Sequence, residues 1–435
     1  MAEGLVSNQN EVPNGDLNGT KKNEAAAKTT IDPKIAVSPN APDDIAHLLD
    51  EVASLGKAFT QGEPRSRSKL LEAARALVYA VETPREAMIR YCWCQPATFA
   101  SLETSIDIGL FKEMAKDERP KTVAELAEAT KTDPVLLSRI MKHLSTMGII
   151  AEEGRDMYRS TGFSKTATIT QYAVSFPCMT GCVNAAVHAL PEFLKKTGYK
   201  NPNDVRNCAF QVGFKTPLTF FEHLGANPKV GMEFNHHMSA YRQGRPSWMD
   251  DGFYPVQERL ISGAETGANS VFLVDVGGGW GHDLDEFRRK WPHAPGRLVL
   301  QDQAHVIKDA APEDKSIEMM VHDFFTEQPV KGARAYYMHS VLHDWQEEES
   351  HKILTNLKAA MTPGYSKLLI NENVIPDTDA HWETTCLDIL MSSLFGSQER
   401  TERQWYKLIE GAGLKIVKIW TAEKGVESLI ECELA

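Results

Sequence analysis

From Asp43 to Ala80 apolar residues recur at helical spacing: Ile45, Leu48, Leu49, Val52 and Leu55, then Leu70, Leu71, Ala74 and Leu77. The pattern predicts two amphipathic helices broken at GEPRSRS. Residues 1–45 are rich in Asn, Lys, Ala, Thr, Asp and Pro and nearly free of aromatic residues, which predicts a disordered tail. Residues 97–115 predict one strong helix. TVAELAEATKTDPVLLSRIMKHLSTMGII predicts a helix, a turn and a second helix that starts at Thr132-Asp133-Pro134 and stops at Gly148. AEEGRDMYRST then predicts a hairpin turning at Glu153-Gly154, and further helices run to about Leu260.

After Ser270 the texture changes. VFLVDV, RLVLQD, IEMMVHD, ARAYYMHSV and SKLLINENV are five short apolar runs, most of them linked by helical segments, the signature of a parallel α/β sheet. LKIVKIW and ESLIECEL around a Glu423-Lys424-Gly425 turn predict a closing antiparallel hairpin. The expected organisation is a tail at 1–45, a helical and winged-helix domain at 46–255, and a sheet-bearing domain at 256–435.

Composition narrows the picture. The 435 residues are 42% hydrophobic and 24% charged, with a formal net charge of −12, as expected for an ordinary globular protein. Helix-turn-helix plus hairpin often binds DNA, but residues 122–161 hold five basic against six acidic side chains. A DNA reader needs a basic face, so a structural or dimerising role is expected and nucleic acid is not. No apolar run reaches the ~18–20 residues that span a bilayer, and the N-terminus lacks a basic region followed by an apolar core. Seven cysteines without zinc spacing predict reduced thiols and a cytoplasmic protein without membrane contact.

The sharpest motif is VFLVDVGGGWGHDLDEF, residues 271–287, a strand running into Gly277, Gly278, Gly279 and Gly281 before a helix. Glycines permit positive φ and close approach of a ligand, and the carboxyl end of a strand is where open α/β sheets bind ligands. Asp302, ending the second strand, is placed to accept both hydroxyls of a ribose. A dinucleotide wants G-x-G-x-x-G; here the spacing is G-G-G-x-G, and the residue six after Gly277 is Asp283, not glycine. Asp275 would repel pyrophosphate but suits an ammonium and a sulfonium. The balance favours S-adenosylmethionine over a dinucleotide, with Asp323 and Phe324 after the third strand placed to bond and stack on adenine.

DVGGGWG, the strand-two QD, HDFF, VLHDW, NENVIPD and QERT, in that order over residues 60–435, resemble class I S-adenosylmethionine-dependent O-methyltransferases of the plant caffeate/flavonoid type. The similarity is greatest to fungal relatives acting on aromatic polyketides. The resemblance implies a Rossmann-like catalytic domain, an N-terminal winged-helix dimerisation domain and a homodimer with intertwined N-terminal helices. It implies that Asp275 and Gly277 to Gly281 hold the methionine and ribose, that Asp302 binds ribose, and that Asp323 and Phe324 contact adenine. It assigns His343 as catalytic base, flanked by Glu372 and Glu399, and places Phe234, Met238, Tyr241, Met391, Leu394 and Phe395 around a small aromatic acceptor. Plant members usually carry lysine at the place of His339, and DILMSSLFGSQERT is one residue out of register with their pattern.

A phenol, like tyrosine with pKa about 10, is little ionised at neutral pH, so a neutral histidine suits the task of taking its proton. Read alone, His343-Asp344 is a strand end, with Asp344 capping a helix that begins at Trp345 and Glu347 to Glu349 a solvated face. No carboxylate cluster with magnesium-site character is evident, so no metal is expected. Two other functions fit part of the pattern: cofactor-assisted cyclisation or elimination, and a ligand-sensing winged-helix regulator.

Overall fold

The computed structural model describes residues 31–241 and 243–435. The disorder expected of residues 1–30 lies outside the described residues. Residues 31–45, also expected to be disordered, instead form the 3-10 turns Pro33–Val37 and Pro42–Asp44. Asp32 caps the first by accepting from the Lys34 amide at 2.9 Å. The link between the turns is pinned by amide bonds from Asn40 to Glu82 and from Ala41 to Ala80.

The chain separates into two compact units, residues 1–97 and 98–435. In the first, helices Ile45–Thr60 and Ser66–Val81 flank the GEPRSRS break as the periodicity predicts. Leu49, Phe59, Val78 and Tyr79 remain exposed on this unit.

The second unit opens on a correction. The single helix expected over 97–115 is two, Gln95–Asp107 and Leu110–Met114, because Gly109 adopts φ +74° between them. Helices Val123–Thr130 and Pro134–Thr146 follow. Thr122 and Glu125 form a capping box on the first, and Asp133 accepts from the Val135 and Leu136 amides to start the second. The wing strands Ile150–Gly154 and Met157–Ser160 turn at Arg155-Asp156, two residues later than expected, with Asp156 taking the left-handed turn position. Leu126, Leu137, Met141, Leu144 and Tyr158 close the core of this winged helix.

One helical run, Thr170–Lys196, is long and apolar enough to cross a membrane by length and composition, contrary to the sequence expectation. It is divided into Thr170–Ala173, Ser175–Cys182 and Asn184–Lys196. Cys178, Cys182 and Ala186 of this run lie in a buried cluster with Phe210 and Phe220.

The five predicted parallel strands all form: β1 Val271–Val276, β2 Arg297–Asp302, β3 Glu318–Val321, β4 Ala335–His339 and β5 Lys367–Glu372. The hairpin β6 Leu414–Trp420 and β7 Ser428–Leu434 completes a seven-stranded sheet ordered β6-β7-β5-β4-β1-β2-β3. β7 runs antiparallel between β5 and β6. Strand β1 is fully buried and pairs with both β2 and β4, parallel to each. The order in which strands are added therefore reverses between β1 and β4, the topological switch point where α/β sheets bind ligands beyond the strands' carboxyl ends. Two apolar clusters, one around Tyr336, Ile370 and Trp405 and the other around Trp248, Phe287 and Tyr337, contain the sheet's buried side chains.

Candidate active site

Beyond β1 the glycine turn is packed on one side and open on the other. A Cβ on Gly278 would meet Asp275 Oδ2 at 2.4 Å and Leu300 Cδ1 at 2.6 Å, whereas one on Gly279 would meet nothing within 4 Å. Gly277, Gly279 and Gly281 all have positive φ, and Gly277 and Gly278 donate to the Gln301 carbonyl. Asp275, 1% exposed, lies under this turn. Asp302 Oδ2 accepts from the Gly279 amide at 2.8 Å and Oδ1 from the Gln303 amide at 2.7 Å. Burial raises its pKa against the pull of those two bonds. Phe324 approaches the same loop, its ring edge 3.7 Å from where a Gly277 Cβ would sit. Asp323 is exposed at the end of β3, where it accepts from the Phe325 amide at 3.0 Å. The open face at Gly279, rimmed by Asp302 and Phe324, fits a nucleoside-bearing group.

Beyond β4 the chain turns at Ser340, φ +51°, into the 3-10 turn Leu342–Asp344. The amides of Val341, Leu342 and His343 all point at Glu372 Oε1, at 2.9, 2.8 and 3.4 Å. Glu372 is the last residue of β5, so adjacent parallel strands deliver the turn and its acceptor together. His343 Nδ1 lies 2.7 Å from Glu399 Oε1 and 3.7 Å from Glu372 Oε2. All three residues are buried. A Gly277 Cβ would be 3.0 Å from Val341 Cγ2, so the histidine turn and the glycine turn adjoin each other.

Burial alone would lower the His343 pKa, but Glu372, Glu399 and Asp344 outweigh it and hold the imidazole well above its usual value. Burial is the largest influence on Glu372 and Asp344, raising both; Asp344 is pushed up to about 7. Glu372 Oε2 and Glu399 Oε2 are buried without a hydrogen-bond partner.

Asp344 is not the helix cap that the sequence suggested. The following helix is Glu347–Lys358 with Gln346 at its cap, and Asp344 Oδ1 stands 3.5 Å from His343 Nε2. Glu347 is likewise not merely solvated, since Arg400 Nε donates to it at 2.7 Å. Arg400, wholly buried, also donates to the Leu342 carbonyl at 2.7 Å and the Trp345 carbonyl at 2.9 Å. Ser397 Oγ donates to the His343 carbonyl at 2.6 Å. The segment carrying Glu399 is therefore fastened to the turn carrying His343 on both sides of the carboxylate. Ligating atoms of His343, Glu372 and Glu399 also fall within 4.8 Å of one another, a grouping the resemblance implied as a base with flanking acids and not as a metal site. Much of it is already engaged, Glu372 Oε1 by amides and Glu399 Oε1 by the imidazole.

The expected acceptor wall falls into two groups. Met391, Leu394 and Phe395 are buried on helix Trp382–Phe395 in an apolar cluster with Phe210 and Phe220, and Phe234 packs against it. Phe395 stacks at a tilt on Phe220, centroids 4.9 Å apart. Met238 and Tyr241 lie half-buried on helix Pro228–Tyr241. Arg245 donates to the Tyr241 hydroxyl at 3.3 Å and covers its ring at 4.5 Å. Burial raises the Tyr241 pKa well above its usual value.

The family model for the O-methyltransferase domain matches residues 262–415, and that for the O-methyltransferase dimerisation domain matches residues 97–170. O-methyltransferase mpaG of Penicillium brevicompactum is 39% identical over 90% of this chain and 98% of its own length. The chain belongs to the O-methyltransferase family. It is an S-adenosylmethionine-dependent O-methyltransferase, similar to relatives from fungal secondary metabolism. Among solved structures, OxaC in complex with sinefungin and meleagrin is 30% identical, with TM-score 0.78 over 90% of this chain and 99% of OxaC. LepI in complex with SAM is 28% identical, with TM-score 0.82 over 90% of this chain and all of LepI. The expected family, fold class and cofactor all stand.

Sequence reasoning missed Arg400, Ser397 and the facing of Asp344. The QERT motif contains the arginine, but no periodicity marks a buried guanidinium. Its signal is the adjacency of an acid and a base in one short loop.

Proposed function

We propose that this O-methyltransferase methylates a phenolic or enolic hydroxyl of a small aromatic, polyketide-like metabolite, with His343 as general base. The observation that carries the reading is the Glu399–His343 pairing beside the glycine turn at the switch point. When bound, S-adenosylmethionine supplies an electrophilic methyl on a sulfonium. Asp302 and the glycine turn at Gly277 to Gly281 would hold its ribose and methionine, Asp275 braces the turn from beneath, and Asp323 and Phe324 would take the adenine.

Glu399 accepts from His343 Nδ1–H, which fixes the tautomer and leaves Nε2 as the proton acceptor. The acceptor hydroxyl would give its proton to Nε2, which makes its oxygen nucleophilic, and the imidazolium so formed would be stabilised by Glu399 and Glu372. Because Glu372 Oε1 also gathers three amides, the base is fixed through its backbone as well as through its ring. Phe234, Met238, Tyr241, Met391, Leu394 and Phe395 form the acceptor's apolar and aromatic surroundings. That Met391, Leu394 and Phe395 are buried together with Phe210 and Phe220 supports a pocket shaped for a flat, apolar ring system.

The matched dimerisation domain supports a homodimer, and we assign the exposed Leu49, Phe59, Val78 and Tyr79 to contact with a second copy. We place the division between helical and catalytic parts near residue 255 and the enzyme in the cytoplasm, where its free cysteines stay reduced. The acidic balance of the winged helix argues against nucleic acid as a partner, and the formal net charge of −12 argues against an anionic membrane surface.

The test is incubation with methyl-labelled S-adenosylmethionine and a panel of phenolic polyketides. Label should enter an acceptor hydroxyl with the natural chain, and His343→Ala should abolish transfer while cofactor binding survives. Full turnover by His343→Ala would overturn the base. Rearrangement of an acceptor without label would favour cofactor-assisted cyclisation instead.

A further inference from the structure

His339 ends β4 with both ring nitrogens against carboxylates. Nδ1 lies 2.6 Å from Asp283 Oδ2 and Nε2 lies 3.0 Å from Glu427 Oε2. A neutral imidazole has one N–H and one lone pair, so it satisfies one of these contacts and sets a lone pair against the other oxygen. Only the imidazolium donates to both. The three side chains are nearly buried, at 12%, 9% and 10% exposure for His339, Asp283 and Glu427. His339 holds the Glu427 pKa down at about 2 against the upward push of burial.

The two acids belong to parts of the protein that the reaction needs in register. Asp283 stands in the first turn of helix His282–Lys290, two residues after Gly281 of the cofactor turn. It also accepts from the Tyr337 hydroxyl at 3.1 Å. Glu427 immediately precedes β7. Sheet register sets His339 opposite Asn371 and Glu372 opposite Ser428, which brings Glu427 to the same edge. There it accepts from Asn371 Nδ2 at 3.4 Å, and its other oxygen accepts from Ser340 Oγ at 3.3 Å. Ser340 is the residue with positive φ whose turn aims the next three amides at Glu372. Arg245 and His343 are the remaining charged groups acting on Glu427.

We propose that His339 is a positioning residue: a buried imidazolium that ties the cofactor turn, through Asp283, to the turn carrying the base, through Glu427 and Ser340. It touches neither reacting atom. This rests on the reading of the glycine turn as the S-adenosylmethionine site. It gives His339 a role distinct from the cofactor contact expected of a lysine at this place. One cation bridging two acids makes the cofactor affinity and the geometry of the base depend on a single proton.

The experiment uses the full-length protein with S-adenosylhomocysteine as the probe, followed by calorimetry from pH 6 to 9. His343→Ala serves as background so that the other imidazole does not contribute. In that background affinity should fall as pH rises from 6 to 9. His339→Gln should weaken binding about tenfold at pH 7, as expected for loss of a charged hydrogen bond, and should flatten the pH dependence. His339→Lys, which keeps the cation, should recover part of the affinity. Glu427→Gln and His339→Gln together should cost less than the sum of the two single changes. Independently of any cofactor, the histidine ring signal lost in His339→Gln should report an imidazolium in the unliganded protein at pH 7.5. A neutral ring there, or unchanged affinity in a folded His339→Gln protein, overturns the proposal. If the unsubstituted chain fails to bind S-adenosylhomocysteine, the cofactor site itself is misassigned and the proposal falls with it.

Discussion

Glu399 Oε1 and His343 Nδ1 meet at 2.7 Å although 55 residues of chain separate them. Two independent anchors bring them together. Arg400 and Ser397, on either side of Glu399, bond the carbonyls of Leu342, His343 and Trp345. The acid therefore reaches the ring because its neighbours are already fastened to the ring's own backbone.

Removing that acid while keeping its shape should separate orientation from folding. Glu399→Gln retains a polar group at Nδ1 but no longer supports a developing imidazolium. We expect kcat to fall about 100-fold, within the range of general-base contributions, with the cofactor dissociation constant unchanged. Steady-state turnover against equilibrium binding checks this, and a loss confined to binding would contradict it.

Activity and stability should respond to pH in opposite directions. The carboxylates hold the His343 pKa well above its usual value, so the base is protonated and idle on the acid side. The log kcat/KM profile should rise with pH, with its midpoint above the ordinary imidazole value of about 6.5. A raised folded-state histidine pKa contributes stability that is present below about 6.5 and lost as pH rises through the folded value. Asp344, raised to about 7 by burial, adds a decline between its ordinary value, about 3.9, and 7, because the folded state binds its proton more tightly. Urea midpoints across pH should show this slope, and Asp344→Asn should remove its lower part.

Arg400→Met tests the staple. The substitution fills the volume but removes the guanidinium's bonds to the Leu342 and Trp345 carbonyls and to Glu347, leaving those carbonyls only the weaker neutral donors Ser350 and Ser397. A loss of about 2 kcal/mol in urea unfolding is expected from the lost charged hydrogen bonds. Transfer should fall more steeply than cofactor binding, because the released turn carries His343.

The glycine turn makes a contrast within three residues. Gly278→Ala forces a methyl group into Asp275 and Leu300, so cofactor affinity should drop at least about tenfold with a measurable loss of thermal stability. At Gly279 a methyl group meets open space and only the positive φ opposes it. Gly279→Ala should therefore be milder for the fold, at about 1 kcal/mol. Equal destabilisation by the two variants would refute the packing account.

Strand identities were legible because the parallel strands are short apolar runs with a polar residue at or near their carboxyl ends. Asp275, Asp302, Asp323 and the glycine turn followed from that pattern, whereas Glu372 and Glu399 came only from the family resemblance. Boundaries governed by a single left-handed residue were not legible: Gly109 divides a strongly helical stretch, and Asp156 moves the wing turn by two residues. Asp344 was misread for a different reason. A capping acid and an acid facing a catalytic ring have the same sequence signature, and only the 3-10 turn at Leu342–Asp344 rotates the side chain toward His343. Arg400 and His339 were invisible as buried cations because their compensating acids come from distant segments.

The insertion of β7 between β5 and β6 has a consequence for the order of assembly. The sheet cannot close in the order in which the chain is written, because β6 must wait for the strand that follows it before it joins the sheet. Glu427, at the threshold of β7, belongs to that late step. The catalytic edge should thus mature abruptly and last, after the remainder of the sheet has formed, with such long-range pairing slowing the process. Recovery of cofactor binding during refolding should lag behind recovery of secondary structure.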